Sequence, residues 1–569
     1  MRITNKIMSN NTLNNLNKNK LYLDKLNNQM ASEKKITRPS DDPIIAIRAL
    51  RLRGSLAEVT QYYDKNVKDA TAWLQATQGA VDSTLKVVTS IKAEFTSGSN
   101  GTNTVESREA ILEELKSLRD QIYANGDAEY AGRTLFTGYR TSSNLMFKKD
   151  EAVAYKDITE TFNASDLEQI TYVSGKLDMT DDVVSYTTST TTELDVEKKT
   201  VSRLRLAYDD LDLSQVKSLT YRTSFTPTSE FGTGGSVTIK DETGATLYSL
   251  TRNADGDLSL PGGGTDTITK NEDGTYTIDN GSGKKINLTA SGKIINGYQE
   301  TVVAVTTKSI ANGNTDDAYN VADGAIHLIP ETGELIIGKD LANTLSSLKD
   351  INSASTIEFS YDKADWRKGD LRPEHYFKCK DTTNNIDYDT YNQDICYDVS
   401  ANQTMRINTY ASDLFVHAIG RDVDEMVRAI EDVDDAQKKV DELQTKLEDT
   451  ALSDSDRAKL ERLLEAAKKE MTFVSDKMQK MFESGQTSFE GYVKQVTLAG
   501  TQVGSRISRL ELVSNRLLDL KTSVRDLADE NENVDIINIG TEVKSASLIY
   551  EAALLATGKI SQQTLLNYI

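Results

Sequence analysis

The six prolines of the chain, at positions 39, 43, 227, 261, 330 and 373, leave residues 44–226 and 374–569 without any. A helix interior excludes proline, because the ring removes a backbone donor and clashes with the preceding turn. The two proline-free blocks are therefore where long helices can lie. At 569 residues the chain also exceeds what one hydrophobic core holds, and two to four domains are expected.

Both blocks carry helical periodicity. In the first, Leu52, Leu56, Val59, Tyr63, Asn66, Ala70, Trp73, Thr77 and Ala80 step by four and three, while Val67, Leu74, Val81 and Val88 repeat every seven residues. This predicts a coiled-coil-like helix with one wide apolar face. Asp42 is placed to cap it and Pro43 to open it. The small polar stretch at 97–101 ends it, and 108–124 reads as the returning helix. In the second block Tyr492, Val496, Ala499, Val503, Leu510, Val513, Leu517, Leu520, Val524 and Leu527 keep the rhythm, with Arg506 the misfit and Ile507 beside it. Residues 421–482 read as two highly charged helical segments, broken near 453–455, solvated and antiparallel.

The middle differs in kind. It alternates Thr, Val, Ile and Tyr with turn pairs such as Asp255-Gly256, Asp273-Gly274 and Asn280-Gly281, so 236–240, 275–279 and 334–338 read as short strands. The expected class is α+β and multidomain: a long helical bundle or coiled coil formed by both chain ends, with an inserted β-rich outer domain. The divisions are 1–42 with 534–569 as terminal segments, 43–147 with 401–533 as a helical bundle carrying the acidic insert, and 148–400 as the β-rich part.

The terminal segments are the candidate functional surface. Leu13, Leu16, Leu23, Leu26 and Met30 form one stripe; Ile536, Ile539, Val543, Ala546, Tyr550, Ala553 and Ile560 form another, followed by Leu565 and Leu566. A continuous 534–569 helix would be roughly 54 Å long, although Gly540 and Gly558 weaken it by about 1 kcal/mol each. Isolated helices are marginal, and such faces need a partner. Periodicity leaves two partners open: the chain's own core, or the other terminus together with further copies of the chain.

Composition excludes several function classes. A net charge of −21 argues against non-specific nucleic-acid binding, which needs clustered cations. The first 38 residues run against it, with eight Lys or Arg and only Asp24 and Glu33, as an interaction arm or an exposed basic face would. No run of about 18 apolar residues offers a membrane span, and no h-region of a cleaved signal is visible. The histidines are His327, His375 and His417, with no His-Glu-x-x-His motif. His375, Cys379 and Cys396 make a remote metal possibility, and the two cysteines could pair in an oxidising compartment. Residues 253–257 resemble a calcium loop without its terminal Glu, and a type I′ turn is the expected reading. The glycines at 262–264 lack a phosphate loop's Lys, and the Ser/Thr run at 187–192 suits glycosylation or an exposed strand. No catalytic, metal or cofactor site is assigned.

Several motifs carry a family resemblance. The opening Met1-Arg2-Ile3-Thr4 and the segment Arg38, Pro39, Ser40, Asp41, Asp42, Pro43 resemble the start of the hook–filament junction family, the third hook-associated proteins of bacterial flagella. Leu118-Arg119-Asp120-Gln121 and Phe136-Thr137-Gly138-Tyr139 are similar to that family's next pieces, and Tyr550-Glu551-Ala552-Ala553-Leu554 to the C-terminus it shares with flagellins. The resemblance covers about 1–147 and 401–569; the acidic insert and the large β-rich part depart from shorter members. It implies a flagellin-like structural adaptor, not an enzyme, secreted unfolded by flagellar type III export to the cell exterior. It implies a ring of copies between the hook-side junction protein and flagellin, with terminal helices ordered on assembly. An export chaperone is expected on the C-terminal helix. The alternative is a divergent flagellin that forms the filament itself.

Overall fold

The computed structural model describes residues 5–99, 103–177, 179, 196–212, 217–232, 235–253, 255–261, 266–310, 315–348, 357–389, 393–450 and 452–566, with backbone only for Asn5 and 560–566. The stretches 187–192 and 262–264 lie outside the described residues. The protein is α+β, and it divides into two compact units. Among the described residues no helix is long and apolar enough to cross a membrane.

The first unit comprises residues 1–75, 395–407 and 503–569. It contains α1 (Asn5–Ser32), α2 (Pro43–Gln61), the start of α3 (Lys68–Gly98), the end of the 79-residue helix α8 (Asp454–Glu532) and α9 (Ile536–Leu566). Asp42 caps α2 as expected: its side chain accepts from the amides of Ile44 and Ile45 at 3.0 and 3.2 Å, and Pro43 opens the helix. Between α2 and α3 the chain makes a π-helical turn, Tyr62–Val67. The four–three stripe runs straight through this turn, because the widened turn adds a residue without ending the helical path. A small hairpin meets the turn, where Asn66 donates to the Asp398 carbonyl at 2.8 Å.

The second unit comprises 76–394 and 408–502. Its helices are the rest of α3, α4 (Val105–Gly126, capped by Thr104), α5 (Thr315–Tyr319), α6 (Lys339–Ser346), α7 (His417–Leu447) and the first part of α8. Phe95 of α3 packs on Phe482 and Phe489 of α8 at centroid distances of 5.7 and 4.8 Å. Two glycines make this possible: a Cβ on Gly98 would lie 2.1 Å from Phe482, and one on Gly485 2.1 Å from Phe95. Each helix leaves out a side chain where the other inserts a ring.

The described strands of this unit fall into two large sheets, one smaller and a two-stranded ribbon of Glu129–Tyr130 with Arg133–Thr134. The nine-stranded sheet runs Thr267–Lys270, Tyr276–Asp279, Lys284–Leu288, Ile294–Ala304, Ser218–Phe225, Ile357–Trp366, Glu151–Phe162, Lys378–Asp381, Ile386–Tyr388. The five-stranded sheet runs Thr306–Thr307, Ile326–Ile329, Glu334–Ile337, Glu197–Arg205, Glu168–Ser174. The four-stranded sheet holds Thr228–Phe231, Val237–Lys240, Thr246–Arg252 and Leu258–Ser259. A compact core of Val237, Ile239, Tyr248, Leu250, Tyr276, Ile278, Ile286 and Leu288 joins this smaller sheet to the adjacent end of the nine-stranded one.

The expected strands are present at 237–240, 276–279 and 334–337, but the tight turns are not type I′. In 253–257 Gly256 donates to the Asn253 carbonyl at 3.0 Å and Asn253 to the Asp257 carbonyl at 2.9 Å. Among the described residues of this loop only Gly256 has positive φ, +85°, whereas a type I′ turn needs it at both central residues. This is a three-residue loop with a glycine bulge, and it recurs at 241–245, 271–275 and 289–293. Asn253 accepts from its own turn, Asp257 binds Lys270 at 2.7 Å, and among the described residues no cluster suits a metal. His375 is hydrogen-bonded to Ser143 and the Asn144 carbonyl. Both cysteines are free: Cys379 is buried, its thiol pushed up to about 12 by burial, and Cys396 is exposed. The insert at 421–482 has a buried seam as well as a charged exterior.

Candidate assembly surface on the terminal helices

The two terminal segments meet at a stitched junction. Helix α1 ends at Ser32, and Glu33, with a φ of +56°, turns the chain back. Beyond it Lys34 bridges Asn533, Lys35 donates to the Glu532 carbonyl at 2.8 Å, and Val534 donates to the Glu33 carbonyl at 3.0 Å. Arg53 of α2 holds the Glu532 carboxylate through Nε at 2.7 Å and through a second guanidinium nitrogen. Hydrogen bonding from Arg53 keeps the Glu532 carboxyl below its ordinary pKa. Asp535 then caps α9, accepting from the amides of Ile537 and Asn538 at 2.9 and 3.2 Å.

The segment Arg38–Pro43 lies at this junction, on the surface. Asp41 accepts from the amides of Arg38 and Thr37 at 2.8 and 3.1 Å and donates its own amide to the Arg38 carbonyl, closing a turn with Pro39 at its second position. Backbone hydrogen bonding from Arg38 holds the Asp41 carboxyl below the usual range. Arg38, Pro39 and Ser40 are exposed, and Asp42 and Pro43 begin α2. The motif is a preformed turn followed by a helix cap.

Beyond the junction α1 pairs with α9. Leu26, Ile539 and Ala546 are buried in the pairing, with Leu23, Val534 and Val543 around them. Leu16, Tyr550 and Ala553 are half-buried, whereas Leu13, Met30 and Ile536 are exposed. For Ile560, Leu565 and Leu566 only the helical backbone is described. The pairing therefore covers one side of each stripe and leaves the other in solvent.

A second face, absent from the stripes read in the sequence, is more exposed still. On α9 Ile537, Leu548 and Leu555 are 80%, 61% and 71% exposed, spaced eleven and seven residues apart. Leu21 on α1 is 70% exposed, and Ile44, Ile47 and Leu50 line the outer side of α2. The signal was in the sequence: 545–556 has leucines and isoleucine on both flanks of its stripe, so no single apolar face accounts for it. Large apolar side chains left this exposed along one helix face mark candidate interaction sites in soluble chains.

Residues 3–141 match the bacterial flagellin N-terminal helical region family. The flagellar hook-associated protein 3 of Salmonella typhimurium is 26% identical over 144 residues, 25% of this chain and 45% of that protein. A flagellin of Clostridium tyrobutyricum is 30% identical over 122 residues, 21% of this chain and 32% of that protein. The matches thus span less than half the length of these relatives. The solved flagellar junction protein FlgL from Legionella pneumophila aligns over 85% of this chain and 100% of its own at 9% identity, with a TM-score of 0.23. Residues 3–141, which hold α1, α2, α3, α4 and the Arg38–Pro43 turn, are thus the part of the chain that is similar to the bacterial flagellin N-terminal helical region.

Proposed function

We propose that the chain is a structural adaptor of the bacterial flagellum, joining the hook-side junction protein to the flagellin filament. The observation that carries this reading is the second apolar face of the α1–α9 pair, which the chain leaves uncovered. Copies of the chain form a ring by burying that face, with the stripes from Leu13 to Met30 and from Ile536 to Leu566 in the inner assembly. Each large side chain so buried is worth about 1.5–3 kcal/mol before ordering costs, enough for several together to order two marginal helices on contact. Before assembly an export chaperone covers α9, and the chain leaves the cell unfolded by flagellar type III export. The names of the curated relatives, hook-associated protein 3 and flagellin, support a flagellar role.

Deleting the chain from the producing bacterium tests the adaptor. Flagellin leaking into the medium as monomer is the expected result; hooks that still carry full filaments would sink it. The flagellin match favours a second reading, in which the chain builds the filament itself. In that case deletion removes filaments and no other flagellin accumulates outside.

A further inference from the structure

Within the second unit lies a cavity of about 700 Å³, a size typical of small-molecule sites. The five-stranded sheet, α7 and α8 wall it, presenting many charged side chains. Nearly all of these charges are already matched. Arg203 lies 2.9 Å from Glu168 and 2.8 Å from Glu425 and also bonds Glu334. Arg205 lies 2.6 Å from Asp422, and Lys176 2.8 Å from Asp432.

Lys477 is different. It projects from α8 into the same cavity, and among the described residues it makes no ion pair. Burial presses its ammonium below the ordinary lysine pKa, with Asp432 opposing the shift only in part. Lys477 is half-buried, with Asp432, Glu334 and Glu425 near enough to attract it but none of them in ion-pair contact, so its ammonium keeps its hydrogen-bonding capacity for a molecule in the cavity. About two and three turns along the same face of α8, Ser484 and Ser488 add neutral hydroxyls to the wall. The carboxylates of Glu334, Asp422 and Glu425 on the facing walls disfavour a multiply charged anion and accept from hydroxyl donors.

We propose that this cavity binds a small carboxylate-bearing polyol of sugar-acid size, with its carboxylate on Lys477 and its hydroxyl groups on the carboxylates and serines around it. Glucuronate, glucose and inorganic phosphate separate the elements of the proposal. In the full chain, glucuronate is expected to shift the methyl resonances of Met426 and Met481, which line the cavity. Glucose lacks the carboxylate and phosphate lacks the polyol, so each binds more weakly. Lys477→Met is expected to weaken glucuronate at least ~10-fold while keeping or raising the melting temperature, and Lys477→Arg to retain binding. Unmoved methyl resonances in the wild type, phosphate binding as tight as glucuronate, or undiminished binding by Lys477→Met overturns the proposal.

Discussion

Two helix pairs in this molecule are built from similar periodicity and end in opposite states. The α7–α8 hairpin buries Val433, Ala436, Val440, Leu443, Leu460, Leu463, Ala467 and Val474 between its helices, with Leu177 and Val196 beside them. Outside it carries pairs such as Lys446 with Glu442 at 2.6 Å, and within residues 417–482, where the two helices face each other, none of the described large apolar side chains is exposed. The α1–α9 pair buries Leu26, Ile539 and Ala546 and exposes Leu21, Ile537, Leu548 and Leu555. The first pair has one apolar face per helix and a charged exterior, so two helices complete it. The second has apolar residues on two sides of α9, so a single partner helix cannot. Finished and unfinished surfaces are thus distinguished by how many sides of a helix are apolar, not by how strongly periodic it is.

That contrast can be broken most directly at α9. Leu548→Glu together with Leu555→Glu is expected to abolish self-assembly of the purified chain, followed by light scattering. The monomer's unfolding midpoint should shift by no more than about 0.5 kcal/mol equivalent, as for exposed sites generally. A variant that assembles normally would place the needed surface elsewhere. In the hairpin the reverse holds: Leu443→Ala removes a fully buried side chain and should cost about 2–5 kcal/mol in denaturant unfolding. The same truncation at Leu26 is expected to lower terminal helicity by circular dichroism and to leave the main transition in place, because its cluster is small.

Acid sharpens the comparison through the second unit. His417 opens α7 against Tyr208 and Arg421, and burial lowers its pKa to about 3; burial lowers that of His375 to about 4. Both imidazoles stay neutral in the fold while the unfolded chain protonates near its ordinary value, about 6.5. At these two sites the unfolded state then binds more protons, so their contribution to stability is full above about pH 6.5 and falls as pH drops toward 4; Glu160, whose carboxyl burial pushes up to about 7, offsets part of this fall. The slope approaches about 1.4 kcal/mol per pH unit for each histidine. The α1–α9 pair contains no histidine, so its helicity should not follow that curve. Thermal melts of the wild type and of Glu160→Gln at several pH values check this, and a flat profile in Glu160→Gln would mean that solvent reaches both rings. The smallest effect expected is at the cap of α2, where Asp42→Ala should cost about 1 kcal/mol.

How much of this was legible depended on the range of the interaction. The start of α2 could be read because a cap and a proline act within three residues. The break between α7 and α8 could be read from local polarity, and the strands at 237–240 and 276–279 from alternation. The π-turn at Tyr62–Val67 could not, since it leaves the four–three pattern almost intact. Nor could the glycine-bulge loops: Asp-Gly serves both turn types, and the choice lies in the φ of the residue before the glycine. The candidate surface was half legible. The stripe holding Leu26, Ile539 and Ala546 follows from periodicity, but the outer face holding Ile537, Leu548 and Leu555 lies off that single stripe.

By itself, then, the sequence determined where helices and short strands can form and where they begin, because proline, caps and periodicity act within a turn or two of the chain. Only the tertiary structure decided the sheet order, such as Ser218–Phe225 between Ile294–Ala304 and Ile357–Trp366, and the reciprocal fit of Gly98 with Phe482 and Gly485 with Phe95. It also decided which apolar side chains remain uncovered and which charged groups face a cavity. Those outcomes depend on residues far apart in sequence competing for the same space, and no local pattern records the result.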